Sequence, residues 1–342
     1  MNVLSVAYPL LPVSVDSPGG AEQILALLER GLVREGHRSL VVAAQGSVVS
    51  GELIRTPVAS GEMTEDVRHE AQQAHRQAIE EALKNYEVHL IHFHGLDFCA
   101  YLPDSPVPKL ATLHLPPAWY PAEVFELSGV QLNCVSRMQA RSAPGGKPLP
   151  VVPNGIDTES FRADCAHTGP LLWLGRICSE KGVHIALEAA HQLDLPLTVA
   201  GPVYAFRDHE AYFREQVEPL LDGKRQWIGP VGIKQKIELL ARARALLIPS
   251  LVAETSSLVA MEASSSGTPV IAFCSGALPE IVEEGVTGFV VEAQAQMAQA
   301  IGRLGEISPA TCRARAAARF SAKRMISDYL QLYQIHASCY NL

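Results

Sequence analysis

The chain has 342 residues, enough for two domains of ordinary size, and its 48% hydrophobic and 19% charged residues fit a well-packed globular protein. A net charge of −8 argues against nucleic acid, which needs a basic excess, and against docking to a membrane through a basic face. Seven scattered cysteines with no Cys-x-x-Cys spacing exclude a disulfide framework and a zinc ribbon, and fit reduced thiols of the cytoplasm.

The first predicted element is a strand over Val3–Tyr8, entered directly from the N-terminus without a charged leader. A proline-rich turn leads to Gly19-Gly20, after which Ile24, Leu27, Leu28 and Leu32 recur at helical spacing until Gly36. Arg38–Ala44 reads as a second strand and Glu65–Asn85 as an acidic helix containing histidines. Val88–His94, Lys109–His114 and Gln131–Ser136 read as further buried strands. A Gly- and Pro-rich loop, Ala143–Pro150, then interrupts the pattern, which restarts at Leu171–Gly175. A helix over Val183–Leu193 and strands at Leu197–Gly201, Gln226–Gly229, Ala245–Pro249 and Pro269–Phe273 follow. No apolar run approaches the ~20 residues of a membrane-spanning helix. Strands alternating with helices predict parallel sheets covered on both faces, and two such runs predict two α/β domains facing across one cleft.

Three groups of residues carry chemistry. Gly19-Gly20 lies between a strand and a helix, where a backbone comes close to a phosphate at a helix N-terminus; a plain tight turn has the same sequence. The dinucleotide pattern Gly-x-Gly-x-x-Gly is absent from this position. Arg176 follows the Leu171–Gly175 strand, and Lys181 is expected at the start of the next helix with Ser179 as its cap. A lysine there opposes the helix dipole, so an anion between the two cations accounts for the placement; a solvated charged loop is the alternative. With no Asp-x-Asp in the chain, the cations and a helix end are the groups available to a diphosphate.

Glu254 and Glu262 stand eight positions apart, with the second expected on the early part of a helix. Eight residues of helical rise span roughly 12 Å, the reach of a sugar, a diphosphate and a ribose together. The helix is expected to start in Thr255-Ser256-Ser257, with a hydroxyl as its cap and free N–H groups facing an anion. Two solvated surface glutamates give the same spacing. His92, His94 and His114 end adjacent strands. A metal site there needs a third ligand that the sequence does not identify, and His114 serves either a sugar hydroxyl or a nearby backbone group.

Taken together, these residues resemble the retaining glycosyltransferases of family 4, which have the GT-B fold. The matching pieces are Pro18-Gly-Gly-Ala-Glu22, Leu113-His114, Pro153-Asn-Gly-Ile-Asp157 and Gly175-Arg-Ile-Cys-Ser-Glu-Lys-Gly182. Then come Pro249-Ser250, Glu254-x7-Glu262-Ala263, Gly267-Thr-Pro-Val270, Gly276-x-x-Pro-Glu-Ile281 and Gly285-x-Thr-Gly288. They cover nearly the whole chain, in order.

The resemblance implies a donor-phosphate contact at Gly19 and Gly20, diphosphate binding by Arg176 and Lys181, and the ribose diol on Glu262. It also implies transferred-sugar hydroxyls on Glu254, a base-binding wall that includes Gly201 and Val231, and His114 near the sugar. The segment Thr255, Ser256, Ser257 and Leu258 takes the place of the triplet Pro-Phe-Gly common in the family, so sugar preference does not carry over from that loop. The implied domains are 1–155, 156–325 and a helix over 326–342 that returns to the N-terminal domain.

The activity expected on these grounds is metal-independent, retaining transfer of a hexose-type sugar to a hydroxyl acceptor. The donor is a nucleotide-diphosphate sugar, UDP-sugar favoured, with no cofactor. A nucleotide-sugar epimerase of the same fold and a non-catalytic nucleotide-sugar-binding protein are the competing readings.

Overall fold

A computed structural model describes residues 1–58, 64–146, 148–162 and 167–339. Cys165 and Lys147, within the expected linker region, lie outside these. The chain divides into two compact units, Met1–Gly155 with Ala322–Leu342, and Ile156–Ser321.

The first unit contains β1 (Asn2–Val6), α1 (Gly20–Arg34), β2 (Arg38–Ala44), β3 (Glu52–Thr56), α2 (Glu65–Asn85), β4 (Leu90–Phe93), β5 (Lys109–Leu113), β6 (Val130–Cys134) and α3 (Arg137–Ser142). Its sheet runs in the order β3-β2-β1-β4-β5-β6, with every neighbouring pair parallel. The central strands are buried on both faces, which is why they read as unbroken apolar runs rather than alternations. Ile24, Leu25, Leu28 and Leu32 form the inner face of α1, and Gly36, at φ +80°, turns the chain out of it. Strand β3 is absent from the sequence prediction. It is an edge strand, and the exposed Glu52 and Arg55 give it a polar sequence.

The second unit contains β7 (Leu171–Leu174), α4 (Val183–Gln192), β8 (Leu197–Ala200), α5 (Arg207–Tyr212), β9 (Arg225–Trp227), α6 (Ile233–Arg242) and β10 (Leu246–Ile248). It continues with α7 (Leu258–Ser266), β11 (Val270–Phe273), α8 (Leu278–Ile281), β12 (Gly288–Val291), α9 (Gln294–Gly302) and α10 (Pro309–Phe320). Its strand order is β12-β11-β10-β7-β8-β9, again parallel throughout. Two apolar clusters, one on each face, fill it. Strand β12, Gly288-Phe-Val-Val at the edge of the sheet, is also absent from the sequence prediction.

Both sheets are doubly wound, and each changes its winding direction once, between β1 and β4 in the first and between β7 and β10 in the second. In such sheets the crevice at the carboxyl ends of the two strands flanking the reversal is where ligands bind.

The last helix, α11 (Ala322–Cys339), belongs to the first unit, so the change of unit falls at Ser321 rather than at residue 325. It rests on α1, where a Cβ on Gly31 would lie 2.2 Å from the Ile326 Cδ1. Only a glycine lets the two helices approach this closely.

Candidate active site

The second unit gathers most of the residues singled out in the sequence. After β7 the chain passes Gly175 and Arg176 into a single 3₁₀ turn, Ser179–Lys181, and only then into α4 through Gly182 at φ +64°. Lys181 therefore precedes the helix instead of starting it. Ser179 caps nothing, because Cys178 and Gly182 occupy the two cap positions. A Cβ on Gly182 would sit 2.2 Å from the Pro249 carbonyl oxygen, so glycine lets this turn lie against the end of β10. The Leu251 N–H donates to the Glu180 carbonyl at 2.8 Å and ties the two loops together.

That contact brings Lys181 and Glu254 together. Lys181 Nζ lies 2.5 Å from Glu254 Oε1, and Ser250 Oγ donates to the same oxygen at 2.7 Å. Both side chains are largely buried. Gly276 closes the other side: a Cβ there would lie 2.2 Å from the Glu254 carbonyl oxygen, which also accepts the Ala277 N–H at 2.7 Å. The pair thus bridges the carboxyl ends of β7 and β10, the reversal point of this sheet. Arg176, on the same β7 loop, is exposed and has no ion pair among the described residues.

Helix α7 begins at Leu258, four residues after Glu254, so only the final part of the Glu254–Glu262 interval is helical and the 12 Å helical span does not apply. Ser257 occupies the cap position, but its hydroxyl makes no cap bond. The N–H groups of its first turn then have no intrahelical acceptor. Next to the cap, Ser256 Oγ is buried without a hydrogen-bond partner.

Glu262, on the second turn, is 2% exposed and ion-paired with Lys236 of α6, Nζ to Oε1, at 2.7 Å. Its other oxygen, Oε2, is buried and has no partner. Burial pushes this carboxyl above the usual carboxylate range, and Lys236 opposes that shift.

Sequence reasoning missed Lys236, although a signal existed. It stands three residues after Ile233 and four before Leu240, on the apolar face of α6, where a lysine needs a carboxylate. Gly201 and Val231 have structural duties. Gly201 has φ +146°, and a Cβ there would lie 1.7 Å from the Gly175 carbonyl oxygen, so it permits close contact between the loops after β7 and β8. Val231 packs against the apolar cluster beneath α7.

A cavity of about 280 Å³, lined by Pro170, Thr198, Glu238 and Arg242, opens at the amino ends of β7 and β8, the opposite end of the sheet from Lys181.

The first unit holds the remaining candidates. Gly19 precedes α1 in extended conformation, and the Glu22 carboxylate folds back over it, 1.9 Å from where a Cβ would be. Gly20 is the first residue of the helix.

The three histidines cluster, the buried His92 and His94 beside the partly buried His114, and His92 packs on α11. Thr112 Oγ1 donates to Asn133 Oδ1 at 2.7 Å, which spends its one proton, so it accepts from His92 Nε2 at 2.7 Å. His92 is kept neutral by complete burial, and its Nδ1 consequently accepts from the Tyr333 hydroxyl at 2.7 Å. His94 Nδ1 and His114 Nε2 lie 3.0 Å apart and share one proton. A second histidine is thus a partner of the His114 ring that the sequence did not suggest. Burial pushes His114 down to about 4, so this pair is neutral near pH 7.

Two family models match the chain in succession. Residues 18–160 match Glycosyltransferase Family 4 and residues 169–306 match Glycosyl transferases group 1. The chain belongs to the family 4, group 1, glycosyltransferases.

Among its relatives, the glycogen synthase of Mycobacterium tuberculosis is 30% identical over 234 residues, 64% of this chain and 53% of that protein. The chain spans about half the length of the curated relatives it matches. As a group 1 glycosyltransferase it also shares its GT-B fold with solved structures. AviGT4, a glycosyltransferase involved in avilamycin A biosynthesis, superposes with a TM-score of 0.74 at 22% identity, covering 99% of this chain and 98% of that one. The Anabaena protein HepE in complex with UDP-glucose gives a TM-score of 0.75 at 17% identity over 98% and 100%. Among the described residues, no helix of this glycosyltransferase is long and apolar enough to cross a membrane.

Proposed function

We propose that this protein transfers a hexose-type sugar from a nucleotide-diphosphate sugar to a hydroxyl acceptor, with retention of configuration and without a metal ion. The observation that carries the reading is the set of groups at the reversal point of the second sheet. A cation, Lys181, is held by Glu254, beside a helix whose cap residue Ser257 makes no side-chain cap bond and two buried oxygens, Ser256 Oγ and Glu262 Oε2, that lack partners. A diphosphate suits the cations and the helix start, and hydroxyl donors suit the carboxylates.

On this reading Arg176 and Lys181 neutralise the departing diphosphate, which is where charge develops as the glycosidic bond breaks. Glu254 takes hydroxyls of the transferred sugar, and Glu262 the ribose diol. Thr255, Ser256, Ser257 and Leu258 contact the donor at the helix start, and Gly201 and Val231 border the base. In the first unit, Gly19 and Gly20 serve phosphate and His114 a sugar hydroxyl. UDP-sugar is the favoured donor, as in the HepE complex. The donor's own diphosphate oxygens accept the acceptor's proton, so no side chain is assigned as a base.

Incubating the protein with UDP- and GDP-sugars, with and without sugar and cyclitol alcohols and in the presence of EDTA, tests this. The expected result is acceptor-dependent release of nucleoside diphosphate that EDTA leaves unchanged, with a product of unaltered anomeric configuration. Conversion of the donor sugar without any acceptor makes the protein an epimerase. Donor binding with no turnover makes it a binding protein. Activity lost in EDTA and restored by magnesium overturns the diphosphate site.

A further inference from the structure

The pairing of Lys236 with Glu262 goes beyond that reading while resting on it. Glu262 is 2% exposed, and an ionised carboxylate in such a place is costly unless something compensates. Lys236 compensates through one oxygen only, Oε1 at 2.7 Å, while Oε2 stays buried and without a partner.

Charged groups on the elements packed against α7 include Lys234, Lys236, Glu238 and Arg242 on α6, and Arg313, Arg315 and Arg319 on α10. Arg315 and Arg319 are both engaged by Glu283, and of the group only Lys236 acts on Glu262. Lys236 is itself held, its Nζ lying 5.4 Å from the centre of the Phe161 ring. The carboxylate and the aromatic face thus both attract the same ammonium.

We propose that Lys236 is a positioning residue of the donor site: it fixes Glu262 and keeps it ionised, so that Oε2 alone is offered to the vicinal hydroxyls of the donor nucleoside. Lys236 makes no contact with the donor. Its effect passes entirely through the charge and orientation of Glu262. A carboxylate pinned at Oε1 cannot rotate away, and its unpartnered oxygen becomes a preorganised acceptor. Without the ammonium, burial acts unopposed and the carboxyl holds its proton to higher pH. A protonated carboxyl is the weaker acceptor, so donor affinity falls. Raising the pH then removes the proton and returns the affinity. Binding that rises with pH is thus the signature of positioning through charge, and loss of packing alone does not produce it.

The test is calorimetric titration with UDP and with GDP between pH 6 and pH 9, continued with whichever the wild type binds more tightly. Wild-type affinity is expected to show no rise across this range. Glu262→Gln is expected to weaken binding about tenfold to a hundredfold at every pH, the cost of a charge-assisted hydrogen bond. Lys236→Met is expected to lose as much at pH 6 and to regain at least about tenfold by pH 9, whereas Lys236→Arg removes that pH dependence.

The double variant Lys236→Met/Glu262→Gln carries no uncompensated charge and keeps the test alive should Lys236→Met fail to fold. It is expected to bind like Glu262→Gln alone. If Lys236→Met binds like the wild type, or is equally weak at every pH, the proposal is overturned. A double variant at least tenfold weaker than Glu262→Gln overturns it too, because Lys236 then touches the donor itself. If Glu262→Gln binds as well as the wild type, the donor role of Glu262 fails first.

Discussion

Lys181 and Glu254 are each other's partner at 2.5 Å, with Ser250 donating to the same carboxylate oxygen. The family resemblance implies different parts of the donor for them, the diphosphate for the lysine and the sugar for the glutamate. Both assignments hold if the donor takes the pair apart: the diphosphate draws Lys181 away, and sugar hydroxyls replace it on Glu254.

This exchange has a consequence for the variants. Glu254→Ala frees Lys181 in advance, so it is expected to bind free nucleoside diphosphate at least as tightly as the wild type. It is expected to lose much of its turnover with the complete donor, because the sugar loses its acceptor as the bond breaks. Titration beside steady-state rates checks this. A Glu254→Ala protein that loses diphosphate affinity contradicts the exchange.

Much of this arrangement was legible in the sequence. The central strands were, because parallel strands covered on both faces read as apolar runs, as Leu40–Ala44 and Leu171–Leu174 do. Of the four edge strands, β6 and β9 were legible and β3 and β12 were not: β3 carries the exposed Glu52 and Arg55, and the short β12 opens on a glycine. Glu254 and Glu262 stood out by spacing, but spacing does not reveal a partner. The lysines that hold them lie 73 and 26 residues away in the chain. The expected helix cap failed for a related reason. A serine in the cap position is a sequence fact, while the rotamer of its hydroxyl is set by what surrounds it, and Ser257 makes no cap bond.

The hydroxyl of Tyr333 is a structural prediction of a different kind. It donates to His92 in a fully buried chain that continues to Thr112 and Asn133 and fastens α11 to β4, β5 and β6. Tyr333→Phe leaves His92 Nδ1 without a partner, so stability is expected to fall by about 1–3 kcal/mol. Urea unfolding of the two proteins measures it, and equal midpoints contradict a stabilising hydrogen bond between Tyr333 and His92.

Acid sensitivity follows from His75, on the inner face of α2. Its ring is fully buried, edge-on to Tyr101 at 5.6 Å between centroids, and burial pushes it down to about 4. Above pH 6.5 the ring is neutral in both the folded and the unfolded chain. Between pH 6.5 and 4 only the unfolded chain takes the proton, so stability declines as the pH falls, by up to about 1.4 kcal/mol per pH unit. His75→Leu removes this contribution. Its stability relative to the wild type is expected to improve steadily from pH 7 to pH 4.5. A pH-independent difference in unfolding free energy means that His75 titrates alike in both states.

The central claim is that the second unit holds a donor diphosphate on Arg176 and Lys181. Calorimetric titration of the wild type and the double variant Arg176→Ala/Lys181→Ala with UDP, GDP, ADP and dTDP tests it most directly. The wild type is expected to bind one of the four, and the folded double variant to lose at least about a hundredfold of that affinity, two charge-assisted contacts being removed. A wild type that binds none of them, or a double variant that binds as the wild type does, contradicts the account.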